Sequence, residues 1–304
     1  MITNTIFAMA KIFGFFAIGI VAKITGYIKE QSINDWSKFA IDFLYPFLIF
    51  DSITQNLNRD RLAEVWPLPV IGFGLVLLGF IIGMVFQPGL FTKDKNIRKT
   101  FIHFCTINNS AYLPIMIANN IWGGTAVSNL FLLNLGTTIG FWTMGVAVLQ
   151  DGNLSKNIKN LFSGNLITVL VSVTIAITGL SHFLPEVLMQ VCNGAGSIAV
   201  PLIMTLTGAT LADPKALNMN WHVIYVTIIR LMIFPLFAIL LLKQLPLTKE
   251  VYSITVIVAL MPVAVSSVLM VRRYGGSPQY ASSTALASSV IALITVPLAI
   301  WMIF

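Results

Sequence analysis

The chain has 304 residues, of which 57% are hydrophobic and only 10% are charged, and its formal net charge is +7. Because soluble domains contain about 25% charged residues and cannot bury so many apolar side chains, this composition excludes a soluble protein and indicates a polytopic membrane protein. The positive charge is small and lies in short loops, which is typical of membrane topology and not of nucleic-acid binding. We therefore expect a lipid bilayer as a partner and no nucleic acid.

Ten apolar runs follow one another along the chain, each close to the length that crosses a bilayer. The first run lacks a small-residue cleavage pattern before Lys23, so we expect a retained helix and not a signal peptide. No connector between runs is long enough for a soluble domain, which predicts an all-α membrane protein. The predicted spans are 4–25, 34–55, 66–87, 100–120, 125–149, 162–180, 185–210, 222–243, 251–272 and 280–303.

The distribution of Lys and Arg predicts which loops face the cytoplasm. Loops after the odd-numbered spans hold eleven such residues, whereas loops after the even-numbered spans hold four. The eleven are Lys23, Lys29, Lys93, Lys95, Arg98, Lys99, Lys156, Lys159, Lys215, Arg272 and Arg273, and the four are Arg59, Arg61, Lys243 and Lys249. We therefore expect the odd loops inside the cell and both termini outside.

The two halves of the sequence resemble each other. Ile121-Trp122-Gly123-Gly124-Thr125 returns 152 residues later as Arg273-Tyr274-Gly275-Gly276-Ser277, and Tyr45-Pro46-Phe47 in the second span resembles Val200-Pro201-Leu202 in the seventh. An offset of five spans reverses the direction of the second copy, which predicts an inverted repeat of five plus five helices, residues 1–150 and 151–304. A Gly-Gly pair after an aromatic residue is also a common interfacial turn, so chance similarity is the alternative.

The fourth span contains an unusually polar stretch, 104–116. Asn and Ser side chains compete for backbone hydrogen bonds, and Pro114 removes a donor and disfavours helical backbone at Leu113. Within hydrocarbon, a broken helix is tolerated only where it lines a protein-enclosed or watery cavity. We expect a discontinuous helix that forms half of a binding site, and a proline-kinked helix held to its neighbours by Asn side chains is the alternative. The candidate substrate-binding residues here are Asn108, Asn109, Ser110, Tyr112 and Pro114.

The ninth span contains a matching stretch, with Pro262 followed by small and hydroxyl residues. In an inverted repeat the fourth span runs outward and the ninth runs inward, so the second half of each broken helix begins near the bilayer middle. A helix N-terminus carries unpaired N–H groups and about half a positive elementary charge, so two such ends together favour an anion. The alternative is a simple proline kink. The candidates here are Pro262, Ala264, Ser266 and Ser267, with Pro46 in the second span.

These segments resemble the auxin efflux carrier family, which includes plant auxin exporters and bacterial organic-acid permeases. Met261-Pro262-Val263-Ala264 through Tyr274-Gly275-Gly276 is similar to the family's M-P-x-A segment that ends in Y-G-G before the last helix. Asn109–Pro114 and Leu44–Phe50 are similar to the family's elements in helices 4 and 2. The resemblance covers nearly the whole chain, without the long cytoplasmic loop of the plant exporters.

The resemblance implies a bacterial-type inner-membrane protein of ten helices, often a homodimer. It also implies a scaffold domain, here helices 1, 2, 6 and 7, and a transport or crossover domain, here helices 3–5 and 8–10. Broken helices 4 and 9 cross in the transport domain, which carries substrate by an elevator-like movement.

Ionisable residues within the predicted spans are costly and are candidates for coupling or gating. Asp42 is expected to carry a proton or to pair with Arg230, and His103 has a side chain that can titrate near neutral pH. For all three, a packing role is the alternative. Asn134 is a further candidate to face the crossing. For Lys11 and Asp51 we expect instead that the side chains extend toward the membrane interfaces.

The sequence contains no nucleotide-binding, zinc-binding or dinucleotide-binding motif, so we expect neither an enzyme nor a cofactor nor a metal site. We expect a secondary active transporter for a small mono- or dicarboxylate, malate-like or auxin-like, coupled to protons or sodium. A sodium-coupled organic anion symporter of the bile-acid transporter type is the alternative, followed by a channel.

Overall fold

The computed structural model describes residues 2–150, 163–212 and 218–304. In this part of the chain the regular elements are helices, joined by short connections. They are α1 (Ile2–Ile24), α2 (Glu30–Phe39), α3 (Tyr45–Asn56), α4 (Arg59–Val65), α5 (Pro67–Phe86), α6 (Lys95–Thr106), α7 (Tyr112–Trp122), α8 (Gly124–Gly140), α9 (Val146–Leu149), α10 (Gly164–Thr178), α11 (Glu186–Leu211), α12 (Trp221–Ile228), α13 (Phe234–Leu242), α14 (Lys249–Ala259), α15 (Ser266–Tyr274) and α16 (Pro278–Ile303).

These helices coincide with the ten apolar runs to within a few residues, except that α4 lies where a loop was expected. Asn58 caps the N-terminus of α4, because its Oδ1 atom accepts a hydrogen bond of 2.9 Å from the Arg61 N–H. Lys156, Lys159 and Lys215, which contribute to the topology prediction, lie outside the described residues. By length and hydropathy, five stretches of the described chain can cross a membrane: Arg59–Leu90, Gly124–Leu149, Glu186–Leu211, Trp221–Leu242 and Pro278–Ile303. Such helices are typical of a multi-pass membrane protein.

Two helices pass a proline by widening one turn. α2 continues into α3 through a π-helical turn, Ala40–Leu44, which ends two residues before Pro46. α12 continues into α13 through a second one, Ile229–Ile233, which ends two residues before Pro235. A proline ring clashes with the carbonyl four residues earlier, and the extra residue of a π turn relieves that clash.

The described chain forms two compact units, and each unit draws on both halves of the sequence. Unit 1 comprises Met1–Trp66, Ala111–Leu132 and Phe162–Asp213, and unit 2 comprises Pro67–Ser110, Leu133–Leu161 and Pro214–Phe304.

In unit 1, glycines let α1 and α11 approach each other closely. A Cβ atom on Gly19 would lie 1.8 Å from the Thr205 carbonyl oxygen, and one on Gly208 would lie 2.3 Å from that of Phe16. Small residues at such contacts are typical of helix pairs in membranes, where van der Waals packing stabilises association. Cys192 of α11 is a buried free thiol within this unit.

In unit 2, α5 packs against α8 and α6 in the same manner. A Cβ atom on Gly136 would lie 1.7 Å from the Pro69 carbonyl oxygen, and one on Gly79 would lie 2.3 Å from that of Cys105. The free thiol of Cys105 is buried beside this contact. The Tyr225 hydroxyl donates a 2.9 Å hydrogen bond to the Phe86 carbonyl, which fixes the end of α5 against α12.

Candidate functional site at two interrupted helices

The first interruption separates α6 from α7. α6 ends at Thr106 and α7 begins at Tyr112, and the connecting backbone carries the buried Asn108 and Asn109. The predicted discontinuity is therefore present, but the predicted effect of Pro114 is wrong, because Leu113 is helical. Pro114 lies in the first turn of α7, where a backbone N–H has no helical partner in any case, so its missing donor costs little.

The second interruption separates α14 from α15. α14 ends at Ala259 and α15 begins at Ser266, and Pro262 lies in the non-helical backbone between them. Its N-terminal side is a tightened turn, in which the Met261 N–H bonds to the Val258 carbonyl at 3.2 Å. The remaining polar backbone groups of this segment need partners from another part of the chain.

The connecting segments of the two interruptions pair with each other inside unit 2. Asn108 and Val263 form an isolated antiparallel bridge, and the Asn109 N–H donates to the Pro262 carbonyl at 2.8 Å. The side-chain amide of Asn108 donates to the Val258 carbonyl at 2.5 Å. Backbone groups that the breaks release are thereby satisfied within the protein, which is the condition for non-helical backbone at membrane depth.

Arg230 connects both interruptions from the π turn Ile229–Ile233. Its side chain is fully buried, with Nε donating to the Met261 carbonyl at 3.2 Å and Nη1 donating to the Cys105 carbonyl at 3.1 Å. The guanidinium carbon lies 3.8 Å from the centroid of the Phe234 ring. Both carbonyls lie at helix C-termini, where the helix dipole favours a cation.

Within the described chain, Arg230 is not paired with a carboxylate side chain, and its partners are all neutral groups. They are two carbonyl oxygens and an aromatic face. Asp42, a partner considered from the sequence, is not one of them. The Nη2 atom has no hydrogen-bond partner among the described residues. A buried guanidinium with a vacant N–H group and no carboxylate partner favours binding of an anion.

A second group of hydrogen-bond donors lies beside Ser110. The Ser110 hydroxyl is 3.4 Å from the Thr137 hydroxyl, which donates to the Asn134 Oδ1 atom at 3.0 Å. Among the described residues, neither the Asn134 Nδ2 atom nor the side-chain amide of Asn109 has a partner. Unit 2 therefore holds vacant amide and guanidinium N–H groups around the interruptions, which are suited to a carboxylate.

Comparison with known proteins identifies the kind of molecule that carries this site. A family described as membrane transport protein matches the chain twice, over residues 5–153 and 152–300. The chain belongs to this family. The double match confirms that the two halves are repeats, and membership confirms the resemblance to auxin efflux carriers.

Two archaeal relatives extend this conclusion. The chain is 22% identical over 295 residues to an uncharacterized transporter of Methanocaldococcus jannaschii, with 94% of each chain covered. It is 24% identical over 286 residues to an uncharacterized transporter of Methanothermobacter thermautotrophicus, with 92% of each chain covered. Family and relatives together indicate a membrane transporter and not an enzyme.

In this member of the membrane transport protein family, the other predicted residues of unit 2 fall into different environments. Ala264 packs with Val76 and Ile107 in an apolar cluster. Ser267 is fully buried and its hydroxyl has no partner among the described residues, whereas Ser266 is exposed.

His103 uses one ring nitrogen in a structural hydrogen bond and leaves the other without a partner among the described residues. Its Nδ1 atom lies 2.7 Å from the Gly145 carbonyl, and because a carbonyl only accepts, Nδ1 donates there. The Nε2 atom is buried and has no partner among the described residues. Gly145 ends the π turn Phe141–Gly145, so here too a widened turn meets a polar side chain.

Four predicted residues belong to unit 1 and not to unit 2. Tyr112 packs edge-on against Tyr45, with ring centroids 5.4 Å apart. Pro114 is buried, Pro46 is half-buried, and Asp42 is exposed in the π turn Ala40–Leu44. Asp42 makes no hydrogen bond or ion pair within the described chain.

Asp51 was predicted to extend toward the membrane interface, and this prediction is wrong. The side chain is only 8% exposed, one carboxylate oxygen accepts a bond from Gln55, and the other accepts one of 3.0 Å from Asn193. The spacing of four residues between Asp51 and Gln55 is a signal for one helix face. Asn193 is 142 residues away, and no local pattern reveals that contact.

Proposed function

We propose that the protein is a secondary active transporter for a small organic anion, a mono- or dicarboxylate of malate-like or auxin-like chemistry. The observation that supports this most is the pairing of Asn108 with Val263 and of Asn109 with Pro262, held by the buried Arg230. In this proposal the chain crosses the membrane ten times as a 5+5 inverted repeat, and the interrupted helices are the crossing helices 4 and 9. The two family matches support the repeat.

The preference for an anion follows from the balance of charge around the interruptions. Arg230 is a fully buried cation whose bonds go to neutral carbonyls, so its charge is not cancelled by a carboxylate side chain. A bound carboxylate would provide that charge and occupy vacant N–H groups, whereas a cation would be repelled. Asn109 and Asn134 add donors without adding charge.

Transport in this proposal proceeds by alternating access of the elevator type. Helices 3–5 and 8–10 carry the substrate, while helices 1, 2, 6 and 7 serve as the scaffold, so a closed site is exposed to one side of the membrane at a time. The proposal includes a homodimer in a bacterial-type inner membrane, with both termini outside. The driving gradient is of protons or of sodium.

Uptake of labelled malate and indole-3-acetate by liposomes containing the purified protein tests this function. We expect uptake to be saturable, to be inhibited by excess carboxylates, and to be unaffected by the corresponding amides or alcohols. Asn109→Ala should reduce uptake at least tenfold without loss of folded protein, because it removes a vacant amide while leaving the Asn109 N–H bond to Pro262 in place.

Imposed gradients complete this test. Uptake that follows a proton gradient supports the main proposal, and uptake that requires sodium supports the bile-acid transporter type of symporter. Inhibition by a neutral sugar or an amine, with none by carboxylates, would show that the anion site is wrong. A steady ionic current without saturation would identify a channel instead.

A further inference from the structure

A cavity of about 620 Å³ lies entirely within unit 1, and none of the residues predicted for the transport site lines it. Its volume is within the range of small-molecule binding sites. Its walls combine apolar side chains such as Phe15 and Leu48 with two opposite charges, the Asp51 carboxylate of α3 and the Lys11 ammonium of α1. Empty cavities in proteins are lined by apolar groups, so a cavity with two charges in its walls accommodates water or a polar ligand.

The Asp51 side of the cavity is rich in hydrogen-bond acceptors. Asn193 and Gln55 each donate an amide hydrogen to the carboxylate, which holds both carboxylate oxygens in place. The amide oxygens of these two side chains have no partner within the described chain. The carboxylate and the two amide oxygens together match the three N–H groups of an ammonium ion.

The Lys11 side of the cavity offers hydrogen-bond donors. Lys11 Nζ donates to the Asn120 Oδ1 atom at 2.7 Å, and the Asn120 amide is fixed in turn by its 2.7 Å bond to the Met116 carbonyl. One of the three N–H groups of Lys11 is thereby used, and the other two are available. Asn119 also lines the cavity. This side suits a carboxylate.

Lys11 and Asp51 line one cavity but do not form an ion pair with each other. Each charge is instead positioned by neutral amides, which leaves it available to a ligand. A ligand with one charge would pair with either Lys11 or Asp51. The other group would then face a like charge or no charge at all. An inorganic cation would fill only a small part of the volume.

We propose that this cavity binds a small zwitterion, with its ammonium group against Asp51 and its carboxylate against Lys11. The ligand class is that of free amino acids. This site goes beyond the proposed transport function, because it uses different residues and a different principle of selection.

Isothermal titration of the full chain in lipid nanodiscs tests the proposal with defined probes. The zwitterions are L-alanine and γ-aminobutyrate, which place their charges at different distances. The single-charge analogues are propionate and ethylamine for the first, and butyrate and butylamine for the second. We expect at least one zwitterion to bind about tenfold or more tightly than both of its analogues, since each lost charged contact costs about that factor.

Variants with matched controls locate the binding. Asp51→Asn preserves size and Lys11→Met removes only the charge, and each should weaken zwitterion binding about tenfold. Asp35→Asn and Lys38→Met are the controls, because Asp35 also accepts a bond from a Gln four residues away, at 3.2 Å, and both side chains are exposed outside the cavity. Asn109→Ala should leave zwitterion binding unchanged.

Three results would overturn the proposal: no binding of either zwitterion, equal binding of a single-charge analogue, or loss of zwitterion binding in Asn109→Ala. The last would place the ligand at the interrupted helices. Because malate uptake is measured separately, its failure would contradict the transport proposal while leaving this one standing.

Discussion

Two proline-containing regions of the molecule respond to proline in opposite ways. α11 continues without a break through Pro201, whereas the helix around Pro262 stops at Ala259 and restarts at Ser266. Both prolines follow apolar residues in apolar runs. At Pro201 the Thr205 hydroxyl donates to the proline carbonyl at 2.9 Å, a bond made within the same helix. At Pro262 the carbonyl accepts from Asn109, a residue of another helix pair.

The difference shows that proline permits an interruption but does not produce one. A single proline removes one donor and displaces one carbonyl, and a helix tolerates this loss. A full break releases several backbone groups, which must find partners elsewhere in the protein. Around Pro262 these partners are the backbone of Asn108 and Asn109 and the side chain of Arg230.

Removing Arg230 tests this explanation with the largest expected effect. Arg230→Met leaves the Cys105 and Met261 carbonyls without their donor, at a cost of about 1–3 kcal/mol each in the free energy of unfolding. Thermal unfolding of the detergent-solubilised protein measures the loss. Arg272→Met, at an exposed position of α15, is the control and should unfold like the wild type. Equal stability of both variants would contradict the role of Arg230.

Asn108 and Asn109 are adjacent but have different expected roles. Asn108 stabilises the interruption, whereas the Asn109 side chain is a candidate for substrate binding. Asn108→Ala removes one of two hydrogen bonds to the Val258 carbonyl, which keeps the bond from the Met261 N–H, and should lower the free energy of unfolding by about 0.5–1.5 kcal/mol. Asn109→Ala removes a side chain without a partner, so its effect on stability should stay within about 0.5 kcal/mol although transport falls. Chemical denaturation of both variants gives the comparison. A larger loss in Asn109→Ala than in Asn108→Ala would reverse these assignments.

Replacing each proline by alanine compares the two regions directly. Pro201→Ala restores a backbone donor in a continuous helix and should raise the free energy of unfolding by about 1 kcal/mol, with transport unchanged. Pro262→Ala allows helix to extend into the interruption and should reduce transport strongly. Melting temperature and uptake, measured on both variants, decide between the two behaviours. If Pro262→Ala transports like the wild type, the interruption does not depend on this proline.

The smallest effect on stability is expected at Asp42, which is exposed and makes no hydrogen bond in the described chain. Asp42→Asn should unfold like the wild type. If Asp42 carries the coupled proton, the variant loses uptake driven by a proton gradient but keeps exchange of substrate across the membrane. Asp35→Asn, exposed on α2, is the matched control. Unchanged response to the proton gradient would assign Asp42 no part in coupling and favour sodium.

Much of the fold follows from local sequence patterns. Apolar length placed the helices to within a few residues, and polar residues near a proline marked both interruptions. These are adjacent Asn residues at the first interruption and Ser266 and Ser267 at the second. The position of the first break was less accurate, because Pro114 is compatible with the first turn of α7 and the break precedes it. The π turns before Pro46 and Pro235 could not be predicted, since one extra residue per turn leaves no signature in composition.

The residues of the candidate site were predicted in part, but their contacts were not. Polar residues in apolar runs identified Asn108, Asn109 and Arg230, because such residues are costly in a membrane. Their partners were not predictable, since Arg230 bonds to backbone carbonyls that every residue carries. The same holds for Asp51, whose contact with Asn193 depends on how two distant helices pack.

Each unit contains one buried cysteine whose thiol reports on local opening of that unit. Cys105 lies in unit 2, where its carbonyl accepts the bond from Arg230, and Cys192 lies in unit 1. An alkylating reagent reaches such a thiol only when its surroundings open, so the rate of labelling measures the frequency of local opening. Arg230→Met should accelerate labelling of Cys105 and leave that of Cys192 unchanged. Without any introduced probe, the labelling rate of Cys105 therefore measures local opening at the interruptions, and that of Cys192 measures local opening in the unit with the cavity.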